Sequence, residues 1–278
     1  MLEILIHTIK ETLNLIPFLF IAFLLIELIE HKLDNKKILS KSGKFGPLIG
    51  SLLGLIPQCG FGILATNLYI TRIISLGSLI SIYLSTSDEM LMIMIANKAP
   101  FQLIGKTLII KFIIGLISGY IIDFIFRKKK EKINIHELCE HDECHCEENI
   151  VKSSIIHTLK TLGFIFIALF IVNFIFHEYG ESYLSKLLLK NKIFSPFIAS
   201  LIALIPSCGS SIVLTEIYLL NQISFGTLIS GLLTNSGLSI LLLFKSNKNI
   251  KENIFILLTI YIIGITIGIL FNLIGIIW

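Results

Sequence analysis

Long apolar stretches, interrupted at a few polar or helix-breaking points, are the main pattern along this chain. A membrane-spanning helix needs about 20 apolar residues. We predict uninterrupted spans of roughly this kind at residues 13–29, 108–126, 162–176 and 254–274. Two further pairs of apolar segments are interrupted, either midway by Pro-x-Cys-Gly or by a polar centre. The first pair is residues 47–70 and 196–220, and the second is residues 76–96 and 225–244.

The interrupted pattern occurs twice, with an offset of 149 residues. Residues 51–60, SLLGLIPQCG, return as residues 200–209, SLIALIPSCG. The offset also pairs Thr66 with Thr215 and Tyr69 with Tyr218. Matching breaks in two halves of a membrane protein are the best sequence indication of a transport site. We therefore expect a first transmembrane repeat at 1–126, a cytoplasmic His/Cys-rich linker at 127–154 and a second transmembrane repeat at 155–278.

The composition agrees with a chain that lies in a membrane. Hydrophobic residues make up 54% of the 278 residues and charged residues 15%, whereas a soluble domain carries about 25% charged residues. The fold class predicted is an all-α polytopic membrane protein, multi-pass, in a bacterial plasma (inner) membrane. The formal net charge of +4 comes from loops, so it bears on topology rather than on nucleic-acid binding.

The Pro-x-Cys-Gly segments fit two shapes, a single kinked span or a re-entrant hairpin. Each hairpin arm would have about 11 residues, or about 16 Å of helix, which reaches the middle of the bilayer. One hairpin per half makes the two repeats inverted, and spans alone make them parallel. The distribution of Lys and Arg favours inverted repeats with both termini outside and the central loop in the cytoplasm.

The Pro-x-Cys-Gly breaks are the first candidate site. Proline and glycine interrupt a helix, and the backbone groups they free at membrane depth need protein or a water-filled cavity around them. The candidate binding residues are Cys59, Gly60, Cys208, Gly209 and Ser210. The two cysteines fit either small apolar side chains or paired sulfur ligands for a thiophilic metal or trivalent arsenic.

The polar centres are the second candidate site. Carboxylates inside a membrane are costly and usually functional, and Asp88 and Glu89 have only Gly237 and Leu238 at the matching positions. Glu216 lies opposite Asn67, and an interfacial position for Glu216 is left open. Oxygen ligands suit hard or borderline cations, and carboxylates also carry protons. The candidate residues are Asn67, Thr86, Ser87, Asp88, Glu89, Glu216, Asn235 and Ser236.

The linker contains a third candidate site, rich in His and Cys. Its spacing matches no zinc finger, and a short Cys/His-rich tract is typical of labile metal capture. A solvated acidic linker is the alternative. We expect no tightly bound cofactor beyond a transported or sensed metal ion. The candidate metal ligands are His136, Cys139, His141, Cys144, His145 and Cys146.

Four features together carry a resemblance to a known family. They are the doubled Ile-Pro-x-Cys-Gly at 56–60 and 205–209, the Ser-Thr-Ser-Asp-Glu run at 85–89, the Thr-Asn-Ser-Gly run at 234–237 and the His/Cys-rich loop. The chain resembles the predicted ten-transmembrane heavy-metal exporter family, whose members are labelled arsenic efflux proteins or manganese transporters. The resemblance covers almost the whole chain and implies a polytopic efflux permease.

The leading hypothesis is a secondary active transporter, not an enzyme, that exports a heavy metal or metalloid, either Mn or another divalent cation or arsenic. The chain has no nucleotide-binding glycine loop. One alternative is a membrane thiol–disulfide electron carrier that uses Cys59 and Cys208, and another is a passive metal channel or importer. The expected partners are the ion and the bilayer, without nucleic acid, and a homodimer is left open.

The apolar spans also contain glycines and a lysine that predict how the helices pack. Gly115 and Gly119, with Gly264 and Gly268 in the second half, form small-residue faces for close helix packing. Lys111 lies within an apolar span, and we expect its side chain to extend toward Lys106 and the membrane surface.

Overall fold

The computed structural model describes residues 45–56, 59–126, 194–206 and 209–275, together with isolated helical residues within 9–24 and 155–170. For Cys59, Gly60, Asp88 and Glu89 it describes the backbone alone. Within these residues every regular element is a helix. The predicted spans at 13–29 and 162–176 lie largely outside the described residues.

Ten helices run through the described ranges 45–126 and 194–275. In the first half they are α1 (Gly46–Gly54), α2 (Cys59–Ile70), α3 (Leu76–Ser85), α4 (Asp88–Ala96) and α5 (Phe101–Phe126). In the second half they are α6 (Ser195–Ala203), α7 (Gly209–Leu219), α8 (Phe225–Thr234), α9 (Ser239–Ser246) and α10 (Ile250–Ile274). The helices α6 and α8 begin and end 149 residues after α1 and α3, and the other bounds follow the same offset within two residues.

Four segments of the described chain are long and apolar enough to cross a membrane. They are Leu76–Ala96, Phe101–Phe126, Phe225–Ser246 and Ile250–Ile274. The first consists of α3 and α4, and the third consists of α8 and α9, so both are spans with a break near the middle. The predicted spans at 108–126 and 254–274 are the C-terminal parts of α5 and α10, which begin earlier in the chain.

Matching caps start the helices that lead into the two breaks. The hydroxyl of Ser75 accepts a hydrogen bond from the backbone N–H of Ser78 at the start of α3. Ser224 does the same for Thr227 at the start of α8. A serine cap satisfies one of the backbone donors that a helix leaves unpaired at its N-terminus.

Glycines bring α5 against α3, and α10 against α8. A methyl group at Gly119 would lie 2.7 Å from the carbonyl oxygen of Gly77, and one at Gly115 would lie 2.9 Å from that of Ser81. The contacts therefore run in opposite order along α3 and α5, which makes the two helices antiparallel. Gly264 and Gly268 meet α8 in the same way. The predicted small-residue faces are the contact surfaces of both helix pairs.

The helix α1 lies beside α3 and runs in the same direction. Gly50 lies against Ile82, and Gly54, at the end of α1, lies against Ser85, at the end of α3. The hydroxyl of Ser81 donates a hydrogen bond of 2.6 Å to the carbonyl of Pro47. In the second half, Ser230 donates to the carbonyl of Pro196 at 3.2 Å. These bonds tie the proline-started helix of each half to the broken span of that half.

Helices of the first half pack directly against helices of the second half. α2 packs on α9, α4 packs on α7, and α3 meets α8. At the α2–α9 contact, the hydroxyls of Thr66 and Tyr83 lie 2.6 Å apart, and both are within 3.5 Å of the carbonyl oxygen of Ser239. The core is continuous across the halves because buried apolar side chains of α3 and α8 belong to one cluster.

Candidate functional site

The two broken spans leave backbone N–H and C=O groups without helical partners in the interior of the protein. α3 ends at Ser85, and Thr86 leaves the helix with φ −52° and ψ 125° before α4 begins at Asp88. α8 ends at Thr234, and Asn235 leaves it with φ −72° and ψ 105°. Both breaks are buried. Non-helical backbone at membrane depth persists where protein or a water-filled cavity satisfies it, so neighbouring groups must satisfy the backbone at both breaks.

Hydroxyl and amide side chains shape the breaks. Thr86 donates to the carbonyl of Ile82 at 2.7 Å, and the backbone N–H of Ser87 donates to the carbonyl of Gly54 at 3.1 Å. In the second break, the side-chain oxygen of Asn235 accepts from the N–H of Gly237 at 3.0 Å. Gly237 has φ 54°, a conformation that glycine adopts readily. Each break is therefore held open by specific bonds.

A narrow cleft, too tight in this structure to admit a water molecule, lies where the two breaks meet, and side chains from both halves line it. Its lining includes three predicted site residues, Thr86, Ser87 and Asn235. The other lining residues, none of them predicted as binding residues, are Met90, Lys111, Ser211 and Leu232. The cleft thus combines hydroxyl and amide oxygens with the thioether of Met90, which is a soft metal ligand.

Lys111 is the most unusual member of the lining. Its side chain is 1% exposed, and its ammonium group donates to the carbonyl of Thr86 and, at 2.9 Å, to the carbonyl of Leu232. The expectation that it extends toward Lys106 is wrong. The physical reason is that carbonyls freed at the ends of α3 and α8 lie within reach of the ammonium group. The rule that singled out Asp88, that an ionisable residue inside a membrane is usually functional, applies to Lys111 too.

The remaining predicted residues take different positions. Ser236 and Ser210 are buried near the second break and at the start of α7, and Gly209 begins that helix. Asn67 is buried on α2 outside the cleft lining, and its side-chain nitrogen has no hydrogen-bond partner among the described residues. Glu216 is exposed on α7 and does not line the cleft.

Some predicted residues are described only by their backbone or not at all. The backbones of Asp88 and Glu89 begin α4, directly after the buried Ser87, and the backbones of Cys59 and Gly60 begin α2. Pro57 and Cys208 lie outside the described residues. The predicted loop ligands also lie outside them: His136, Cys139, His141, Cys144, His145 and Cys146.

Comparison with known protein families identifies the class of the chain. Residues 2–167 and 159–276 match the model of the family described as "Putative, 10TM heavy-metal exporter". The chain belongs to this family. The resemblance drawn from the sequence motifs is thereby confirmed, and the protein is a multi-pass membrane protein of a metal-transporter class. Comparisons with curated proteins and with solved structures found no match.

Membership of the ten-transmembrane heavy-metal exporter family indicates the kind of protein to which the cleft belongs. An exporter family is a class of transporters and not of enzymes. In many transporters the substrate and coupling ions bind near the bilayer midplane, where discontinuous helices of two repeats meet. In this chain, two discontinuous apolar segments, Leu76–Ala96 and Phe225–Ser246, meet at the cleft.

Proposed function

We propose that this heavy-metal exporter is a secondary active permease that moves a divalent metal cation out of the cytoplasm through the bacterial plasma membrane. Its cargo site lies between the two breaks, at Thr86 to Glu89 and at Asn235 and Ser236. One observation carries the proposal: two broken spans meet at a cleft lined with polar side chains from both halves. Polar side chains inside a membrane protein typically mark an ion pathway.

The contacts of the Pro-x-Cys-Gly segments favour the re-entrant hairpin over the kinked span. α1 runs parallel to α3, so it begins at the end of the molecule where α3 begins. The short turn at 71–75 joins the end of α2 to the start of α3. α2 therefore returns toward the side from which α1 entered.

The contact between Arg72 and Glu252 favours inverted repeats. Arg72 lies just before α3, and its guanidinium group binds the carboxylate of Glu252 in the first turn of α10. α10 is antiparallel to α8, so α8 begins on the side opposite to the start of α10. α3 and α8 accordingly begin on opposite sides of the membrane. The same side then collects Arg72 and the basic residues around the start of α10, in agreement with the positive-inside rule.

The donor set of the cleft favours a divalent cation over arsenic as cargo. The described lining offers the hydroxyls of Thr86, Ser87 and Ser211, the amide of Asn235 and the thioether of Met90. The oxygen donors outnumber the single soft donor, and they suit hard or borderline cations. Asp88 and Glu89 add carboxylates at the same break, and they bind the cation or exchange protons for it. The His/Cys-rich loop gathers metal on the cytoplasmic side, which is the basis for export as the direction.

A metal panel in a host that lacks its own exporters tests the proposal. Growth and retained metal are measured for Mn, Zn, Cd and arsenite with wild type, Asp88→Asn and Cys59→Ser. Glu216→Gln is the control, because Glu216 is an exposed carboxylate away from the cleft. We expect wild type and Glu216→Gln to protect against a divalent metal, and Asp88→Asn to lose protection.

The other outcomes of the panel contradict parts of the proposal. Loss of protection with Cys59→Ser alone indicates a thiophilic cargo such as arsenite. Uptake of metal down its gradient without proton dependence indicates a channel or importer. If Cys59 and Cys208 cycle through a disulfide while their serine variants retain metal tolerance, the protein is a thiol–disulfide electron carrier instead.

A further inference from the structure

The position of Lys111 places a cation at the C-terminal ends of two helices that come from different halves. Thr86 caps the C-terminus of α3, and Leu232 lies in the last turn of α8. The ammonium group of Lys111 binds the carbonyl oxygens of both. Lys111 itself lies in the N-terminal half of α5, level with the break after α3.

These two carbonyls have the properties of cation ligands. The last four carbonyls of a helix have no partner within the helix, and the helix dipole concentrates partial negative charge there. Transporters use such half-helix C-termini and unwound carbonyls to coordinate monovalent cations. Here two of them converge on a single buried point, and the hydroxyls of Ser87 and Ser211 line the same cleft.

Only one of the two matching helices, α5 and α10, carries an ammonium group at this position. The position 149 residues after Lys111 is Ile260, which is fully buried in α10. The shared fold therefore does not require a lysine at this position of the closing helix. A buried charge without a structural counterpart is a sign of function, because its burial is costly.

We propose that the carbonyls of Thr86 and Leu232 form a site for a monovalent cation, an alkali ion or a primary alkylammonium group, which Lys111 fills as a tethered occupant. The binding site borders the proposed cargo site, because Lys111 lines the same cleft, but its test does not depend on which metal is carried. Its role in the cycle rests on the proposed function: the tethered cation joins the two broken spans, so the exporter needs no free sodium or potassium ion at this point.

Chemical rescue of Lys111→Ala tests the site on the purified full chain in detergent. The substitution removes three methylene groups and the ammonium group, which together correspond to propylammonium. Thermal unfolding is followed at constant ionic strength in N-methylglucamine chloride, with increasing replacement by propylammonium, ethylammonium, Na⁺ or K⁺. We expect Lys111→Ala to unfold about 5–10 °C below wild type in N-methylglucamine. Propylammonium is expected to restore most of this difference in a saturable manner, and wild type is expected not to respond.

Two controls separate a cation site from simple cavity filling. n-Propanol has the size of propylammonium without its charge, so it should restore little of the unfolding temperature. Ile260→Ala removes a comparably buried side chain at the matching position of α10, and its stability should not depend on the cation. Equal rescue by n-propanol, or an equal cation effect in Ile260→Ala, overturns the proposal. The titrations of Lys111→Ala with Na⁺ and K⁺ show whether an alkali ion also binds at this site.

A second variant covers the case in which Lys111→Ala yields no folded protein. Lys111→Met keeps most of the side-chain volume and removes the charge. We expect it to be less stable than wild type and to gain stability from Na⁺ or K⁺ relative to N-methylglucamine. A Lys111→Met protein that is as stable as wild type and insensitive to these ions overturns the proposal. Because none of these readouts involves metal flux, failure of this site and failure of the exporter assignment are distinguishable.

Discussion

The two halves of this family member share the hydrogen bonds around the starts of their broken spans but differ in their charged residues. In both halves a serine caps the broken span, as Ser75 and Ser224 do. In both halves a serine of that span binds the carbonyl of the proline that starts the preceding helix. The scaffold is thus built by the same contacts at positions 149 residues apart.

The charged residues break this correspondence. Several positions of the first half carry a charge where the second half has a neutral residue. Among these pairs are Arg72 and Asn221, Asp88 and Gly237, Glu89 and Leu238, Lys111 and Ile260, and Asp123 and Asn272. If the proposed function is correct, the shared bonds maintain the fold and the unshared charges at the breaks serve transport. Substitutions at the two kinds of position test this separation of fold and transport.

The largest expected effect concerns the shared glycine contacts. Gly119→Val and Gly268→Val both push a side chain into the backbone of the facing helix, and we expect each to cost about 3 kcal/mol. Gly105, on the same helix as Gly119, has nothing within 4 Å of an added methyl group. Gly105→Ala should therefore leave stability unchanged or raise it by up to about 1 kcal/mol.

Thermal unfolding and the yield of folded protein in detergent measure these effects. If the two halves share one scaffold, the losses for Gly119→Val and Gly268→Val are similar. A large loss in one half and none in the other contradicts that conclusion.

An intermediate effect is expected at an ion pair that joins the two halves near the starts of α3 and α10. The guanidinium group of Arg72 binds the carboxylate of Glu252 with bonds of 2.7 and 3.0 Å, and Tyr69 also donates to that carboxylate. The side chains of Arg72 and Glu252 are 24% and 16% exposed, so solvent screening is partial. A double-mutant cycle of Arg72→Met and Glu252→Gln should give a coupling free energy of about 1–2 kcal/mol.

The matching positions, Asn221 and Leu103, cannot form an ion pair. The ion pair between the halves therefore has no counterpart at the matching positions. A coupling free energy near zero in the cycle would show that this contact does not help to hold the halves together.

The smallest expected effect is a difference between the two caps. Ser75→Ala and Ser224→Ala should each cost about 1 kcal/mol. Ser75 also donates to the carboxylate of Asp123 at 2.7 Å, whereas Ser224 donates to the amide oxygen of Asn272 at 2.6 Å. A bond to a charged acceptor is stronger, so the loss for Ser75→Ala should be larger by about 0.5 kcal/mol. Equal losses in thermal unfolding would show that the charge of Asp123 adds nothing to this cap.

The sequence indicated the breaks well because proline, glycine and polar residues are conspicuous in apolar segments. Thr86, Ser87 and Asn235 were predicted from their central positions, and all three line the cleft. Glu216 was predicted from its match to Asn67, yet it is exposed. An apolar helix gives little signal about which face looks inward, so a single carboxylate on it could not be assigned to a face.

The contacts between the halves could not be predicted from one sequence. Lys111 reaches the cleft because α8 meets α3 and presents the carbonyl of Leu232. No local pattern around Lys111 encodes a partner 121 residues away. The same holds for the packing of α2 on α9 and of α4 on α7, which depends on how the halves interlock.

The most direct test of the separation between fold and transport compares two substitutions of the same kind. Asp88→Asn alters an unshared carboxylate at a break, and Asp123→Asn converts a carboxylate near the end of α5 to the residue found at the matching position of α10. Uptake of Mn²⁺ into proteoliposomes is measured for wild type and for both variants. The account predicts that Asp88→Asn abolishes the flux and that Asp123→Asn leaves it close to the wild-type value. Undiminished flux in Asp88→Asn, or equal loss in both variants, would contradict it.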